Sequence, residues 1–116
     1  MLVAHGSRQD LANAEVAQIA AALRLRLAAR FATVSHAFLE LSPPDIALAI
    51  DTLVAAGHVD IWLLPYFLTA GKHIQQDIPA IVDAKTRQYP AVKMHILPYI
   101  GAADGVVELL FSLVHD

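Results

Sequence analysis

Two histidines occupy similar places in the chain and are the residues best suited to chemistry. His5 follows the short apolar run Leu2–Ala4, and His73 lies beyond a longer apolar run, just after Gly71. In a chain of alternating strands and helices, such positions put both imidazoles at the carboxyl edge of a parallel sheet, where these folds bind ligands. Imidazole is a common metal ligand and exchanges a proton near neutral pH. The pair therefore indicates a metal site or a proton-transfer site.

The elements that must position these histidines are predicted from the spacing of apolar residues. We predict strands at residues 2–4, 31–41, 59–68 and 92–97, and helices at about 8–29, 43–56 and 78–88, with a last helix marked by Val106, Val107, Leu110, Phe111 and Val114. Because Pro79 cannot lie deep in a regular helix, we predict an irregular turn at residues 71–77. The element order is therefore β-α-β-α-β-α-β-α.

Local signals mark where these elements begin and end. Ser7 and Asp10 have the spacing of a capping box, in which Ser7 accepts hydrogen bonds from the first amides of a helix. Gly57 is placed to end the second helix, and Pro65 is expected to end the hydrogen-bonded pairing of the third strand.

This order predicts an α/β fold: a doubly wound, flavodoxin-like, four-stranded parallel sheet with helices on both faces. With a strand order of the 2-1-3-4 kind, His5 and His73 flank the point where the winding reverses. Glu40, near the end of the second strand, would then lie beside His5. We expect residues 1–116 to form a single domain of ordinary size.

Composition excludes several classes of protein. Hydrophobic residues make up 57% of the chain, but the apolar runs are too short for a membrane-spanning helix, which needs about 20 residues. We therefore expect no membrane segment, and no signal peptide. A net charge of −3 without a basic cluster argues against a nucleic-acid partner. The chain has no cysteine, so a metal would need nitrogen and oxygen ligands, and a reducing cytoplasm is the expected compartment.

Three segments together resemble a known family. They are the stretch from Val3 to Arg8, the stretch Ala37-Phe38-Leu39-Glu40-Leu41 followed by Pro43-Pro44, and the stretch Pro65-Tyr66-Phe67-Leu68 that leads to Gly71-Lys72-His73 and Asp77-Ile78-Pro79. Their order and spacing are similar to those of the class II tetrapyrrole chelatases, in particular the short, single-domain sirohydrochlorin cobaltochelatases. The resemblance covers nearly the whole chain and implies a chelatase-like domain.

The resemblance implies insertion of a divalent metal, foremost cobalt, into sirohydrochlorin without ATP or another nucleotide. The two histidines that such enzymes use match His5 and His73. Longer members contain two such units in tandem, so we expect this chain to form a homodimer. Neither the choice among Co²⁺, Ni²⁺ and Fe²⁺ nor the sharing of a site between protomers follows from the sequence.

The chemistry of metal insertion gives other residues possible roles. The macrocycle must lose two pyrrole protons, and Glu40 or one of the histidines is a candidate base. Arg8 and Lys72 are candidates to pair with the carboxylates of the macrocycle, since each adjoins a motif. Neutral imidazole binds a metal and imidazolium does not, so insertion should weaken in acid.

Less specific interpretations stand beside these. His5 could have a purely structural role, in which its ring donates a hydrogen bond to a backbone carbonyl and stabilises the turn. Glu40 could be a solvated carboxylate at a strand end. His36 shares a strand face with Glu40 but is better explained as a core histidine. The remaining histidines, His58, His95 and His115, are not assigned to the site. Two other functions remain open: a non-enzymatic metal or tetrapyrrole carrier, and, by fold analogy alone, a small hydrolase or phosphate-binding protein.

Overall fold

The four strands form one parallel sheet in the order β2-β1-β3-β4 in the computed structural model, which describes residues 1–114. The strands are β1 (Leu2–Ala4), β2 (His36–Phe38), β3 (Asp60–Pro65) and β4 (Lys93–Ile96). In β1, Leu2 is in register with His36 of β2 and with Leu64 of β3. This order confirms the doubly wound prediction, with the winding reversing between β1 and β3.

Four α-helices connect or follow these strands. They are α1 (Asp10–Leu27), α2 (Ile46–Ala55), α3 (Ile78–Gln88) and α4 (Val106–Leu113), with a single π-helical turn at His73–Asp77 and a 3₁₀ turn at Ile100–Ala102. The prediction for α3 is confirmed at both ends. Val114 follows the last helical residue of α4. Within the described residues no helix combines the length and the apolar character that crossing a membrane requires.

Both faces of the sheet are covered, because successive side chains of a strand point to opposite sides. On one face, Val3, Ala37 and Leu63 pack in a cluster with residues of α2 and α3. On the other face, Leu2, Ala4 and Phe38 pack against Val16 and Ala20 of α1. Each of these side chains is at most 8% exposed. The prediction of helices on both faces is confirmed.

The predicted second strand, residues 31–41, is too long at both ends. Phe31 belongs to the turn that ends α1, because its amide donates to the Leu27 carbonyl at 2.9 Å. Its ring packs edge-on against Trp62, with centroids 5.7 Å apart, and the Arg30 guanidinium lies over the same indole. At the other end Leu41 has a φ of 70°, which turns the chain away from the sheet. Only three residues, His36–Phe38, form regular pairs with β1.

Two predicted helix starts are also wrong. Ser7 is not the cap of α1: its hydroxyl accepts the Gln9 amide at 3.0 Å, and the helix begins at Asp10. The second helix begins at Ile46 instead of residue 43, since the Pro44 carbonyl accepts the Phe38 amide at 2.9 Å and thereby belongs to the edge of β2. Asp45 caps α2 by accepting the Leu48 amide at 2.7 Å.

The other boundaries differ by a few residues from those predicted. Helix α1 ends at Leu27 and α2 at Ala55, with Gly57 in the expected left-handed conformation at a φ of 94°. Strand β3 begins one residue later than predicted and ends at Pro65, where its hydrogen-bonded pairing was expected to end. Residues 66–68, which the predicted strand included, lie outside it. Strand β4 is one residue shorter at each end than predicted.

Helices α2 and α3 are joined by a polar contact at the surface. Asp51 of α2 accepts hydrogen bonds from the Lys85 ammonium of α3 and from the hydroxyl of Tyr89, the residue that follows α3, both at 2.7 Å. These bonds hold the pKa of Asp51 below its usual value of 3.8, because they favour the charged carboxylate. The same carboxylate raises the pKa of the Tyr89 phenol.

The Asp51 contact predicts a specific loss of stability in acid. A lowered native pKa contributes stability above the ordinary value of 3.8, and this contribution is lost as the pH falls through the native pKa. Asp51→Asn should therefore reduce the free energy of unfolding at neutral pH and flatten its dependence on pH below about 4. Urea titrations of both proteins across this pH range measure the difference. Equal slopes in the two proteins would contradict the prediction.

Candidate functional site

The backbone holds Glu40 against the loop that carries His5. Beyond the last regular pair of β2, the Leu39 amide donates to the Ala4 carbonyl at 2.9 Å and the Glu40 amide donates to the His5 carbonyl at 3.0 Å. The two chain segments therefore remain in register one step past the strands. The expected neighbourhood of Glu40 and His5 follows from this register.

The side chains of the same two residues are in contact. The His5 Nε2 lies 3.0 Å from the Glu40 Oε1, and the two side chains are 42% and 54% exposed. The other ring nitrogen, Nδ1, lies 2.9 Å from the Gly6 carbonyl oxygen. Since a carbonyl only accepts, this nitrogen is the protonated donor, and a neutral ring then has its lone pair at Nε2.

The contact between Nε2 and Oε1 therefore needs a cation. A lone pair and a carboxylate oxygen repel at 3.0 Å unless a proton or a metal ion lies between them. A first-row divalent ion about 2.1 Å from each of two donors at right angles separates those donors by about 3.0 Å. The spacing of His5 and Glu40 suits either a shared proton or two adjacent metal ligands.

His73 lies next to this pair. Its ring centroid is 4.9 Å from that of His5, with the planes inclined at 61°. Its Nδ1 is 2.8 Å from the Asp77 Oδ2, one helical turn further along the chain. The structure thus brings together the three residues that the sequence predicted as catalytic, His5, Glu40 and His73.

His5, Glu40 and His73 do not form a complete metal site by themselves. Among residues 1–114, no three histidine, aspartate or glutamate side chains are arranged to hold one ion jointly. Two donors with open positions around them suit an ion that must pass to another ligand, whereas a closed set of four is typical of a structural metal. The arrangement can hold a divalent ion loosely and accept protons.

Glycine and asparagine shape the loop between β1 and α1. Gly6 has a φ of 94°, and a Cβ at this position would lie 1.8 Å from the Glu40 carbonyl oxygen. Asn13 of α1 clamps the same loop: its side chain accepts the Ser7 amide at 3.0 Å and donates to the Ser7 carbonyl at 2.7 Å. The close approach of His5 to Glu40 depends on both features.

The surroundings of the pair are open and partly apolar. A hollow of about 290 Å³ lies beside His5, with Asn13, Glu15 and Tyr66 among its lining residues. A second hollow of about 240 Å³ lies toward the amino ends of the strands, lined in part by Arg30 and Trp62. The second hollow contains none of the predicted site residues, so the first is the one relevant to them.

The two predicted cationic contacts, Arg8 and Lys72, are exposed side chains at the carboxyl edge. Arg8 lies between Ser7 and α1, and Lys72 directly precedes the π-helical turn. In this structure neither is part of the contacts among His5, Glu40 and His73 described above. Their pairing with a substrate stays a prediction.

The remaining histidines lie elsewhere. His36 packs edge-on against Phe38, with centroids 5.5 Å apart. The Nε2 of His95 lies 2.8 Å from the Asp60 Oδ1. His58 lines the hollow at the amino ends of the strands, and His115 lies outside the described residues.

Two residues of the site were not assigned a role from the sequence. Asp77 shares an i, i+4 spacing with His73, a signal of side-chain contact on a helix, but the segment was expected to be an irregular turn. Asn13 gives no such signal, because its contact with Ser7 depends on how α1 folds back toward the loop.

A known protein family matches the whole sequence. The CbiX family model matches residues 1–116. The chain belongs to the CbiX family.

Curated relatives of this CbiX chain carry two related names. A sirohydrochlorin cobaltochelatase of Priestia megaterium is 31% identical over 83 residues, which are 72% of this chain and 27% of that protein. A chloroplastic sirohydrochlorin ferrochelatase of Arabidopsis thaliana is 25% identical over 116 residues, 100% of this chain and 49% of that protein. A sirohydrochlorin cobaltochelatase of Methanosarcina barkeri is 27% identical over 128 residues, 100% of this chain and 93% of that protein.

The CbiX chain therefore spans half or less of the first two relatives and nearly all of the third. Solved structures agree on the fold. A CbiX protein of Marinobacter aquaeolei superposes with a TM-score of 0.74 at 20% identity, covering 97% of this chain and 89% of that one. The sirohydrochlorin chelatase SirB of Bacillus subtilis subspecies spizizenii, in complex with cobalt, gives a TM-score of 0.71 at 28% identity, covering 96% and 47%.

Proposed function

We propose that this chain inserts a divalent metal ion, with cobalt as the first candidate, into sirohydrochlorin without ATP. The observation that supports this most is the contact at 3.0 Å between the His5 Nε2 and the Glu40 Oε1, with the His73 ring beside it. Membership of the CbiX family and relatives named sirohydrochlorin cobaltochelatase and ferrochelatase support sirohydrochlorin as the proposed substrate. Nickel and ferrous iron are the alternative metals, since imidazole and carboxylate bind all three.

In this proposal each residue of the site has a defined task. His5 and His73 hold the incoming ion through ring nitrogens, and the open coordination positions allow it to pass to the macrocycle. Glu40 is the base that we assign to the pyrrole protons, because its carboxylate lies next to the proposed metal ligand His5. Arg8 and Lys72 pair with the carboxylates of the macrocycle.

Absorbance measurements test the proposal directly. Purified protein is mixed with sirohydrochlorin and with Co²⁺, Ni²⁺ or Fe²⁺ in separate reactions. A chelatase gives many product molecules per protein and an order of rates among the metals. One product per protein supports the alternative of a metal or tetrapyrrole carrier, and no binding of the macrocycle would overturn both.

We also propose that residues 1–116 form one chelatase-like domain that assembles as a homodimer in the cytoplasm. The support for a dimer comes from α4, which packs mainly on the 3₁₀ turn that precedes it. Five apolar side chains of this helix, spread around it, are each more than half exposed: Val107, Leu109, Leu110, Phe111 and Leu113. A second copy of the chain would bury part of this apolar surface by a symmetric contact. The absence of cysteine is compatible with a reducing compartment.

The dimer predicts a strong effect of one substitution in α4. Phe111 is 73% exposed, and Phe111→Ser should raise the dissociation constant of the dimer about 30-fold or more, as loss of a central aromatic anchor does. Sedimentation velocity at micromolar concentration measures this shift. Leu25→Ser in α1 is the control, because Leu25 is 83% exposed on another helix. A wild-type monomer under these conditions would contradict the prediction.

A further inference from the structure

The carboxylate of Asp77 contacts one ring nitrogen of His73. Their atoms Oδ2 and Nδ1 are 2.8 Å apart, and the two side chains are 32% and 39% exposed. A carboxylate accepts hydrogen bonds and an imidazole nitrogen donates only when protonated, so the proton of this bond lies on Nδ1. A neutral His73 ring is then left with its lone pair at Nε2.

The backbone around this contact is a π-helical turn with a clear cause. The Ile78 amide donates to the His73 carbonyl, five residues back, whereas a regular helix would use Ile74. Pro79 has no amide hydrogen to offer the Gln75 carbonyl, and its ring would collide with that carbonyl in a regular turn. The wider turn relieves this conflict, and such turns are frequent at functional sites.

Asp77 does not perform the usual structural task of an aspartate at the start of a helix. It precedes α3, but its side chain makes no capping hydrogen bond to the amides of that helix. Its backbone is helical, with φ of −71° and ψ of −49°, so the chain runs through it without a break. The carboxylate is directed at His73 instead.

We infer that Asp77 is a positioning residue, which holds His73 in the tautomer whose Nε2 is free to bind a metal ion. This inference rests on the proposed function, because it assigns a reason to the orientation of one of the two proposed metal ligands. A carboxylate behind a ligating histidine fixes its ring and increases its strength as a donor. The His73 Nδ1 and the Asp77 Oδ2 are the two atoms that such a pair requires, and they lie 2.8 Å apart.

The contact also makes the two histidines different. The Nδ1 of His5 donates to the neutral Gly6 carbonyl, and its Nε2 faces Glu40. The Nδ1 of His73 donates to a negative carboxylate. His73 is therefore the stronger ligand of the two, and the loss of Asp77 should affect metal affinity through His73 alone.

Two measurements on the metal-free and cobalt-loaded protein test this role. Nitrogen NMR of protein labelled in its histidine rings, at a pH where they are neutral, should show a protonated Nδ1 and a bare Nε2 for His73. The His73 signals are assigned with His73→Gln. In Asp77→Ala the ring should become a mixture of tautomers, and the dissociation constant for Co²⁺ alone should rise about 10- to 100-fold. Asp77→Asn, whose amide oxygen still accepts from Nδ1, should keep the tautomer and an intermediate affinity.

Asp83 provides a matched control on α3, the helix that directly follows Asp77. It is paired at i, i+4 with Arg87, 3.5 Å away, and both side chains are about 75% exposed. Asp83→Ala should leave the His73 tautomer and the Co²⁺ affinity unchanged. An unchanged tautomer and affinity in a folded Asp77→Ala protein would overturn the inference, whatever the result of the insertion assay. Failure of the wild-type protein to insert metal would instead count against the proposed function.

Discussion

Replacing His5 or His73 by alanine is expected to abolish metal insertion and to leave the fold intact. Each variant removes one of the two proposed metal ligands, so the rate should fall at least about 100-fold, beyond the effect of losing only an outer partner of a ligand. Both rings are partly exposed and neither belongs to the buried core. The rate of the absorbance change with sirohydrochlorin and Co²⁺, together with circular dichroism, measures the two effects separately.

His95 offers a matched control for both substitutions. It also contacts a carboxylate, that of Asp60 at 2.8 Å, and is 44% exposed, but it lies on β4 and away from the candidate site. His95→Ala should retain full insertion. If His5 and His73 act as one unit, the double variant should be no slower than either single variant. Full activity in either single variant would remove that histidine from the proposed mechanism.

The sequence predicts the two central strands well because β1 is fully buried and β3 has buried residues at every second position. The apolar pattern of β1 and β3 and the break at Pro65 are local signals, and they suffice for the order of elements along the chain. The strand order 2-1-3-4 entered the sequence reasoning as a condition, and the observed order β2-β1-β3-β4 meets it. The start of β2 is missed because the Phe31 amide still bonds to the Leu27 carbonyl of α1, so the apolar pattern from residue 31 onward begins before the strand does. The predicted start of α1 is wrong because the Ser7 hydroxyl accepts the Gln9 amide and the Asn13 side chain holds the Ser7 backbone. Neither contact is visible in the local sequence pattern.

The candidate site also combines features that the sequence predicts with features that it does not. Proximity of Glu40 to His5 is predictable, because both follow neighbouring parallel strands and the pairing continues past the strand ends. The role of Asp77 is not, since the effect of Pro79 is recognisable only as an irregularity and the resulting π-helical turn has no clear sequence signal. The tautomer of each histidine is not predictable from the sequence either, because it depends on which acceptor each ring nitrogen meets. At His5, this acceptor is the Gly6 carbonyl.

Gly6→Ala is expected to disable the site even in protein that folds. The substitution combines a φ of 94°, which costs an alanine about 1–2 kcal/mol, with a Cβ only 1.8 Å from the Glu40 carbonyl oxygen. Relief of the clash must separate the His5 loop from the Glu40 segment, and overpacking of this kind adds about 1–3 kcal/mol. A displacement of about 1 Å at His5 should lower the insertion rate about 100-fold.

Three other glycines separate the causes of this loss. Gly57 has the same φ of 94° but no atom within 4 Å of an added Cβ, so Gly57→Ala carries the backbone strain alone. Gly101→Ala carries a clash alone, with the Leu68 carbonyl oxygen at 1.6 Å, and Gly71→Ala carries neither. Urea unfolding and the insertion rate are measured for all four variants. Gly57→Ala should be destabilised by about 1–2 kcal/mol and remain fully active. If Gly6→Ala were also destabilised by only about 1–2 kcal/mol and remained fully active, backbone strain alone would explain its effect. The close approach of the His5 loop to Glu40 would then not matter for the chemistry.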